Sequence, residues 1–352
     1  MSKPVLMTVD DDPGVSRSVA RDLRRRYGQD MRIVRAESGA DALEALRELV
    51  LRGEPVAAIL ADYRMPNMNG IEFLEKIMRL RPMPVIMVST LTQRGADATL
   101  EALEIGAFDC VGKPGGDIDV VTAFSELTDK IKAAAKARVR PIGQNAPRTA
   151  QGVHFAPNGR MVAIGSSTGG VEALLTVLSR FPANCPPTVI TQHMPATFTK
   201  SFAERLNRTC AAEVAEAWDG APLATGKVYL APGGVAHLEV TGQTQLRCVL
   251  RTGDLVNGHR PSVDQLFHSV ARAAGAKALG VILTGMGRDG AAGLKAIRDA
   301  GGRSLGQDEH SCVVYGMPKA AADAGAVERQ VSLDRMADAI IDLCNLEHRE
   351  RA

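Results

Sequence analysis

The sequence predicts an α/β protein of two domains, each built on a mainly parallel sheet. Three observations lead there. Short apolar runs alternate along the chain with stretches whose apolar residues recur every three or four positions, the sign of alternating strands and helices. Chemically distinctive residues fall where the apolar runs stop, as they do at the carboxyl ends of parallel strands. The alternation lapses once, so residues 1–135 and 157–350 read as domains and 136–156 as a linker.

The first half is read in order. Residues 3–9 are an apolar strand ending in Asp10-Asp11-Asp12, followed by a helix with Val15, Val19 and Leu23 inward. Strand 31–34 leads to a helix carrying Ala42, Leu43, Leu46, Leu49 and Val50, and strand 56–60 ends at Asp62. Helix 71–80, strand 84–88, helix 96–105, a short strand ending at Lys113-Pro114 and a helix from about 118 complete the series. Five βα units imply a doubly wound, flavodoxin-like sheet.

Asp10, Asp11, Asp62, Ser89 and Lys113 all stand at strand ends in this scheme. Three converging carboxylates repel unless a hard cation joins them, and Mg²⁺ held by carboxylates and water suits the set. A lysine and a hydroxyl nearby would hold a phosphoryl group. The bland alternative is solvated acidic strand ends.

This half resembles a response-regulator receiver domain through Val9-Asp10-Asp11, Asp62 with Met65-Pro66, Gly70, Ser89 and Lys113-Pro114. The resemblance implies that Asp62 accepts a phosphoryl group from a histidine kinase. It also implies that Asp10, Asp11, Asp62 and the Arg64 carbonyl bind Mg²⁺, while Ser89 senses the phosphate and Lys113 pairs with it. Cys110 occupies the position that usually carries an aromatic switch residue.

Between the halves the chain turns basic, KIKAAAKARVR, and then aperiodic, PIGQNAPRTAQGVHF. The basic part extends the last helix and complements its dipole. A formal net charge of +2 gives no global attraction to nucleic acid. No apolar run approaches the roughly 20 residues of a membrane span, and the N-terminus lacks signal-peptide architecture. Six scattered cysteines without a C-x-x-C pair argue against zinc and for reduced thiols in the cytoplasm.

The second half opens on the strand Met161–Ile164, then Gly165-Ser166-Ser167-Thr168-Gly169-Gly170, then a helix with Val171, Leu174, Leu175 and Leu178 on one face. The G-x-S-x-G spelling is that of a nucleophile elbow, a strained strand–turn–helix junction that projects a serine toward a base. A plain Ser/Gly turn capped by Thr168 and a phosphate loop are the alternatives. Neither a G-x-G-x-x-G nor a Walker pattern can be written here.

Strand 188–191 then ends in Gln192-His193, and Phe198, Phe202 and Leu206 mark a helix. Residues 227–230 are a strand, and 237–240 with 246–250 a hairpin. Ser262 is a candidate cap for a helix carrying Val263, Leu266, Phe267 and Val270. Strand 279–283 reaches Thr284-Gly285-Met286-Gly287-Arg288-Asp289-Gly290 before another helix.

Ser167, His193 and Asp289 thus each follow a parallel strand, which makes them candidates for one crevice. Ser167 would attack, His193 would carry the proton and Asp289 would orient the imidazole. The glycines around Met286 leave amides free to face an oxyanion. A second order, Ser167–Asp289–His310, is also writable, but Gln307–His310 reads as a polar loop with no clear strand before it.

This half resembles the catalytic domain of the chemotaxis protein-glutamate methylesterases, the CheB family. The resemblance rests on Ile164–Gly170, Thr191–Pro195, His259–Asp264, Leu283–Gly290 and Cys312–Pro318. It implies a Ser167–His193–Asp289 triad with the Met286 amide in the oxyanion hole, no cofactor in the esterase site, hydrolysis of glutamate methyl esters and deamidation of glutamines. Implied partners are methyl-accepting chemotaxis receptors and the chemotaxis histidine kinase. Arg288 stands where many relatives carry asparagine. The unphosphorylated receiver is expected to cover the Ser167 crevice, and phosphate on Asp62 to relieve that inhibition. A receiver with a DNA-binding output would need a basic helix-turn-helix domain, which this half does not resemble. A catalytically silent receptor-docking module is the remaining rival.

Overall fold

A computed structural model describes residues 3–89, 93–112, 120–137 and 155–346, with backbone alone at 89, 93–96 and 120–126. The chain divides into two compact units, Met1–Gln144 and Asn145–Ala352. Lys113 and the aperiodic stretch 138–154 lie outside the described residues.

The first unit runs β1 (Val5–Val9), α1 (Pro13–Tyr27), β2 (Arg32–Ala36), α2 (Gly39–Leu51), β3 (Val56–Asp62), α3 (Gly70–Leu80), β4 (Val85–Ser89), α4 (Gln93–Ile105), β5 (Asp109–Gly112) and α5 (Val120–Ala134). Its strands lie in the order β2-β1-β3-β4-β5 and all pair in parallel. The central strands are buried almost throughout because helices cover both faces of the sheet. Asp12, Ser38 and Asn69 cap α1, α2 and α3, their side-chain oxygens accepting free amides of the first turn.

One helical face differs from expectation. Helix α1 buries Ser16, Ala20, Leu23 and Tyr27, and Val15 is 37% exposed. The buried stripe is rotated by one residue because Tyr27 goes inward, its hydroxyl donating to the Thr128 carbonyl at 3.0 Å.

The second unit continues with β6 (Met161–Ser166), α6 (Gly170–Leu178), β7 (Thr188–Gln192), α7 (Ala196–Thr209), β8 (Glu213–Glu216), β9 (Lys227–Leu230), β10 (His237–Thr241), β11 (Arg247–Arg251), α8 (Val263–Ala274), β12 (Ala278–Ile282), α9 (Ala291–Asp299), β13 (Arg303–Gln307), α10 (Met317–Asp323), β14 (Arg329–Val331) and α11 (Leu333–Cys344). Seven strands form a parallel sheet in the order β14-β13-β12-β6-β7-β9-β8, and β10 with β11 makes a separate antiparallel hairpin.

Strands β8 and β14 carry no apolar run because they are the sheet's edges, where polar side chains face water. Strand β13 directly precedes Asp308–His310, so the loop around His310 does follow a strand. Residues just ahead of 157 also pack in this unit: Phe155 is buried, and the Ala156 carbonyl accepts the Leu346 amide at 2.9 Å. No helix among the described residues is long and apolar enough to cross a membrane.

Candidate functional site

Strand β6 lies at the centre of the second sheet, with β7 on one side and β12 on the other. From β6 the chain builds one half of the sheet and then returns to build the other, so the carboxyl end of β6 opens a crevice. Ser166 is paired with Gln192 and Gly165 with Ile282, so the residues just beyond leave the sheet abreast. His193 donates its amide to Ser166 O at 3.1 Å, and Ser167 donates to Thr284 O at 3.0 Å. Adjacent strands are about 4.8 Å apart, which sets the scale separating Ser167 from His193.

Helix α6 begins right after this turn. Its left-handed step falls on Gly169, with φ 77°, and Ser167 is not among the positive-φ residues. The expected strain is therefore absorbed by a glycine rather than by the serine, and Gly169 rather than Thr168 occupies the cap position. Gly285 allows the β12 loop to approach. A Cβ there would lie 2.8 Å from Ser167 Cβ and 2.3 Å from Met317 Sδ.

His193 Nε2 is 2.9 Å from Asp289 Oδ2. Asp289 is buried and accepts from four further groups. Oδ1 takes Asn257 Nδ2 at 2.8 Å, Ser262 Oγ at 2.8 Å and the Asp264 amide at 3.2 Å, while Oδ2 also takes the Val263 amide at 2.7 Å. Burial alone would raise this carboxyl. The hydrogen bond and charge of His193, with Asn257 and the Val263 N–H, outweigh burial and hold it well below the usual carboxylate range. The first turn of α8 thus supplies two amides and the Ser262 hydroxyl to the acid.

An ionised Asp289 keeps a proton on Nε2, so Nδ1 presents a lone pair. Turning the ring over would face the carboxylate with a C–H. Nδ1 is buried with no hydrogen-bond partner. Among the described residues the Ser167 hydroxyl has no partner either, leaving a donor and an acceptor at the ends of neighbouring strands.

Gln192, buried at the end of β7, braces this corner. It accepts from Ser166 Oγ at 2.6 Å and donates to the carbonyls of Ser167 at 2.9 Å and His193 at 3.1 Å. Met286 is half-buried one residue beyond Gly285, and its amide has no acceptor among the described residues. Arg288 is exposed. His310 is exposed in the turn after β13, and none of the five donors to Asp289 comes from it. Sequence reasoning assigned no role to Gln192 or Asn257. The signal for Asn257 was its Asn-Gly pair, a hairpin-turn marker.

In the first unit, carboxylate oxygens of Asp10, Asp11 and Asp62 all lie within 4.8 Å of one another. Asp10 and Asp62 are buried and Asp11 is exposed. Asp62 closes β3, and Arg64 follows on an exposed loop. Ser89 ends β4 beside Gly112, and its side chain, like all of Lys113, is outside the described residues. Cys110 lies half-buried with Sγ 3.9 Å from the Thr99 carbonyl, and burial pushes its thiol far up.

Comparison with known proteins identifies the family of both halves. Residues 162–340 match the family model for CheB methylesterase, and residues 6–125 that for the response regulator receiver domain. A Caulobacter vibrioides protein named protein-glutamate methylesterase/protein-glutamine glutaminase 1 is 57% identical over 347 residues, covering 98% of this chain and 99% of its own. The protein-glutamate methylesterase/protein-glutamine glutaminase of Agrobacterium fabrum is 55% identical over 345 residues, covering 96% of both chains. The crystal structure of the Thermotoga maritima CheB methylesterase catalytic domain superposes with a TM-score of 0.51 at 38% identity, covering 53% of this chain and 99% of that one. The chain therefore belongs to the CheB methylesterase family, with a response-regulator receiver domain ahead of its esterase domain.

Proposed function

We propose that this chain hydrolyses glutamate methyl esters and deamidates glutamines on methyl-accepting chemotaxis receptors, through an acyl-enzyme on Ser167. The observation that supports this most is the His193–Asp289 pair: a buried carboxylate holds Nε2–H and leaves a buried Nδ1 lone pair, and Ser167 follows the strand next to the one His193 follows. The two ring nitrogens thus exchange their more familiar assignments, in which Nδ1 faces the acid.

As Ser167 Oγ attacks the ester carbonyl, its proton passes to His193 Nδ1, and Asp289 stabilises the imidazolium. The carbonyl oxygen becomes an oxyanion, and the Met286 N–H donates to it. Nδ1–H then protonates the departing methoxide and methanol leaves. Water repeats the sequence on the acyl-enzyme and releases the glutamate carboxylate. With a glutamine substrate the first leaving group is ammonia.

The receiver regulates this chemistry in the same proposal. Asp62 takes a phosphoryl group from the chemotaxis histidine kinase, and Ser89 and Lys113 contact the phosphate. The Asp10, Asp11 and Asp62 carboxylates with the Arg64 carbonyl would hold Mg²⁺. The fit rests on three like-charged oxygen donors within 4.8 Å, two of them on buried residues. Bound there, Mg²⁺ supplies positive charge that neutralises phosphoryl oxygens. Phosphorylation relieves inhibition of the esterase by the receiver. The site of action is the cytoplasm, consistent with six scattered cysteines that form no C-x-x-C pair.

Methanol release from methylated receptor membranes, with and without a small phosphodonor, tests the reading. The intact chain should release methanol, faster with phosphodonor, and Ser167→Ala should release none while keeping its unfolding transition. Near-normal release by Ser167→Ala would remove the nucleophile. Absence of release by the intact chain would favour a silent receptor-docking module.

A further inference from the structure

A short turn beside the crevice touches both members of the acid–base pair. Val256 and His259 exchange backbone hydrogen bonds, Val256 N to His259 O at 3.0 Å and His259 N to Val256 O at 2.9 Å. Between them Asn257 and Gly258 have φ of 53° and 81°, as a two-residue hairpin turn of the primed type requires. Arg260 fastens the end of the turn. Its guanidinium donates to Gly234 O at 3.0 Å and Gly253 O at 2.6 Å, and its own carbonyl accepts the Gly234 amide at 2.9 Å.

From this turn the Asn257 amide spends both protons on carboxylates, Asp289 at 2.8 Å and Asp264 at 2.7 Å. The ring of His259 lies flat on the ring of His193, with centroids 3.6 Å apart and planes 10° from parallel. No hydrogen bond to the ring nitrogens of His259 competes with that contact among the described residues.

We propose that His259 is a positioning residue for the reaction: its ring, stacked on His193, bars rotation of the imidazole and keeps Nδ1 aimed at Ser167. The inference rests on the triad reading above. One hydrogen bond, Nε2 to Asp289, fixes a point on the His193 ring but leaves the ring free to swing about it. A parallel ring at van der Waals distance removes that freedom. Misplacement of a reacting nitrogen by about 1 Å can cost on the order of 100-fold in rate. Burial and the neighbouring charge of His193 push His259 down to about 4, so it stays neutral while His193 carries the transferred proton. A neutral π-face beside an imidazolium is attractive.

The test uses the full chain and two readouts. One is the rate at which a fluorophosphonate labels Ser167, which reports nucleophile activation without receptor docking. The other is kcat and KM for methanol release. His259→Ala should label about 10-fold or more slowly, with kcat falling in parallel and KM within about twofold of wild type. His259→Phe keeps a flat ring and should label within about threefold of wild type. Unfolding midpoints of both variants identify any loss caused by misfolding. Labelling of a folded His259→Ala protein at the wild-type rate overturns the inference, as does a folded His259→Phe protein as slow as the alanine variant. Labelling that persists in Ser167→Ala instead overturns the triad reading.

Discussion

Replacing Asp289 by asparagine tests the pair at its most constrained atom. The carboxylate accepts five donors, three on Oδ1 and two on Oδ2. An amide of the same shape must place its NH₂ on one side. On the Oδ1 side it would oppose the Asp264 amide and Asn257, whose own protons are already committed. On the Oδ2 side it opposes only the Val263 amide, because His193 can answer by switching tautomer. The second orientation is therefore the cheaper one, at about 1–3 kcal/mol for one buried, unsatisfied N–H. It is also the inactive one, since His193 then accepts at Nε2 and carries its proton on Nδ1, where the serine needs an acceptor. The expected result for Asp289→Asn is a loss of about 1–3 kcal/mol in urea unfolding of the esterase domain, with a fall in kcat of about 10⁴-fold. Fluorophosphonate labelling should fall with it. A variant within tenfold of wild-type kcat would refute the tautomer argument, and unchanged unfolding would refute the donor count.

Further outcomes concern the receiver, the linkage of domains and pH. Asp62 should become phosphorylated by a small phosphodonor only with Mg²⁺, and Asp11→Ala should weaken both metal binding and labelling; equal labelling of Asp62→Asn would place the phosphate elsewhere. A chain beginning at Val153 should show higher basal esterase activity than the unphosphorylated full chain and no response to phosphodonor; lower activity would make the receiver an activator. His259 falls from 6.5 to about 4 in the folded state, through burial, then the charge of His193, against the opposing charge of Asp289. The unfolded chain thus binds a proton between those values that the folded one does not, so stability is lost as pH falls through that window. His259→Phe should spare the esterase domain up to about 3 kcal/mol of that loss between pH 7 and 4. A wild-type-to-variant difference that is flat with pH would contradict it.

Most of the fold was legible because its signals are local. Strands such as Val5–Val9 and Ala278–Ile282 are buried on both faces and read as almost wholly apolar runs, and Ser167, His193 and Asp289 each follow a strand end. Edge strands β8 and β14 left no such mark, because half of each faces water. The inward face of α1 was misread because Tyr27's anchor, the Thr128 carbonyl, lies 101 residues away.

From sequence alone came the chemistry: a serine, a histidine and an aspartate in the loops that follow parallel strands, and three carboxylates at another set of strand ends. Only the tertiary structure decided which histidine nitrogen meets the acid, that Asp289 is held by the first turn of α8, and that an Asn-Gly turn lays a second imidazole on His193. The physical reason is range. Periodicity and turn propensity act over a few neighbouring residues, whereas ring orientation and carboxylate solvation are set by groups 25 to 96 positions away in the chain.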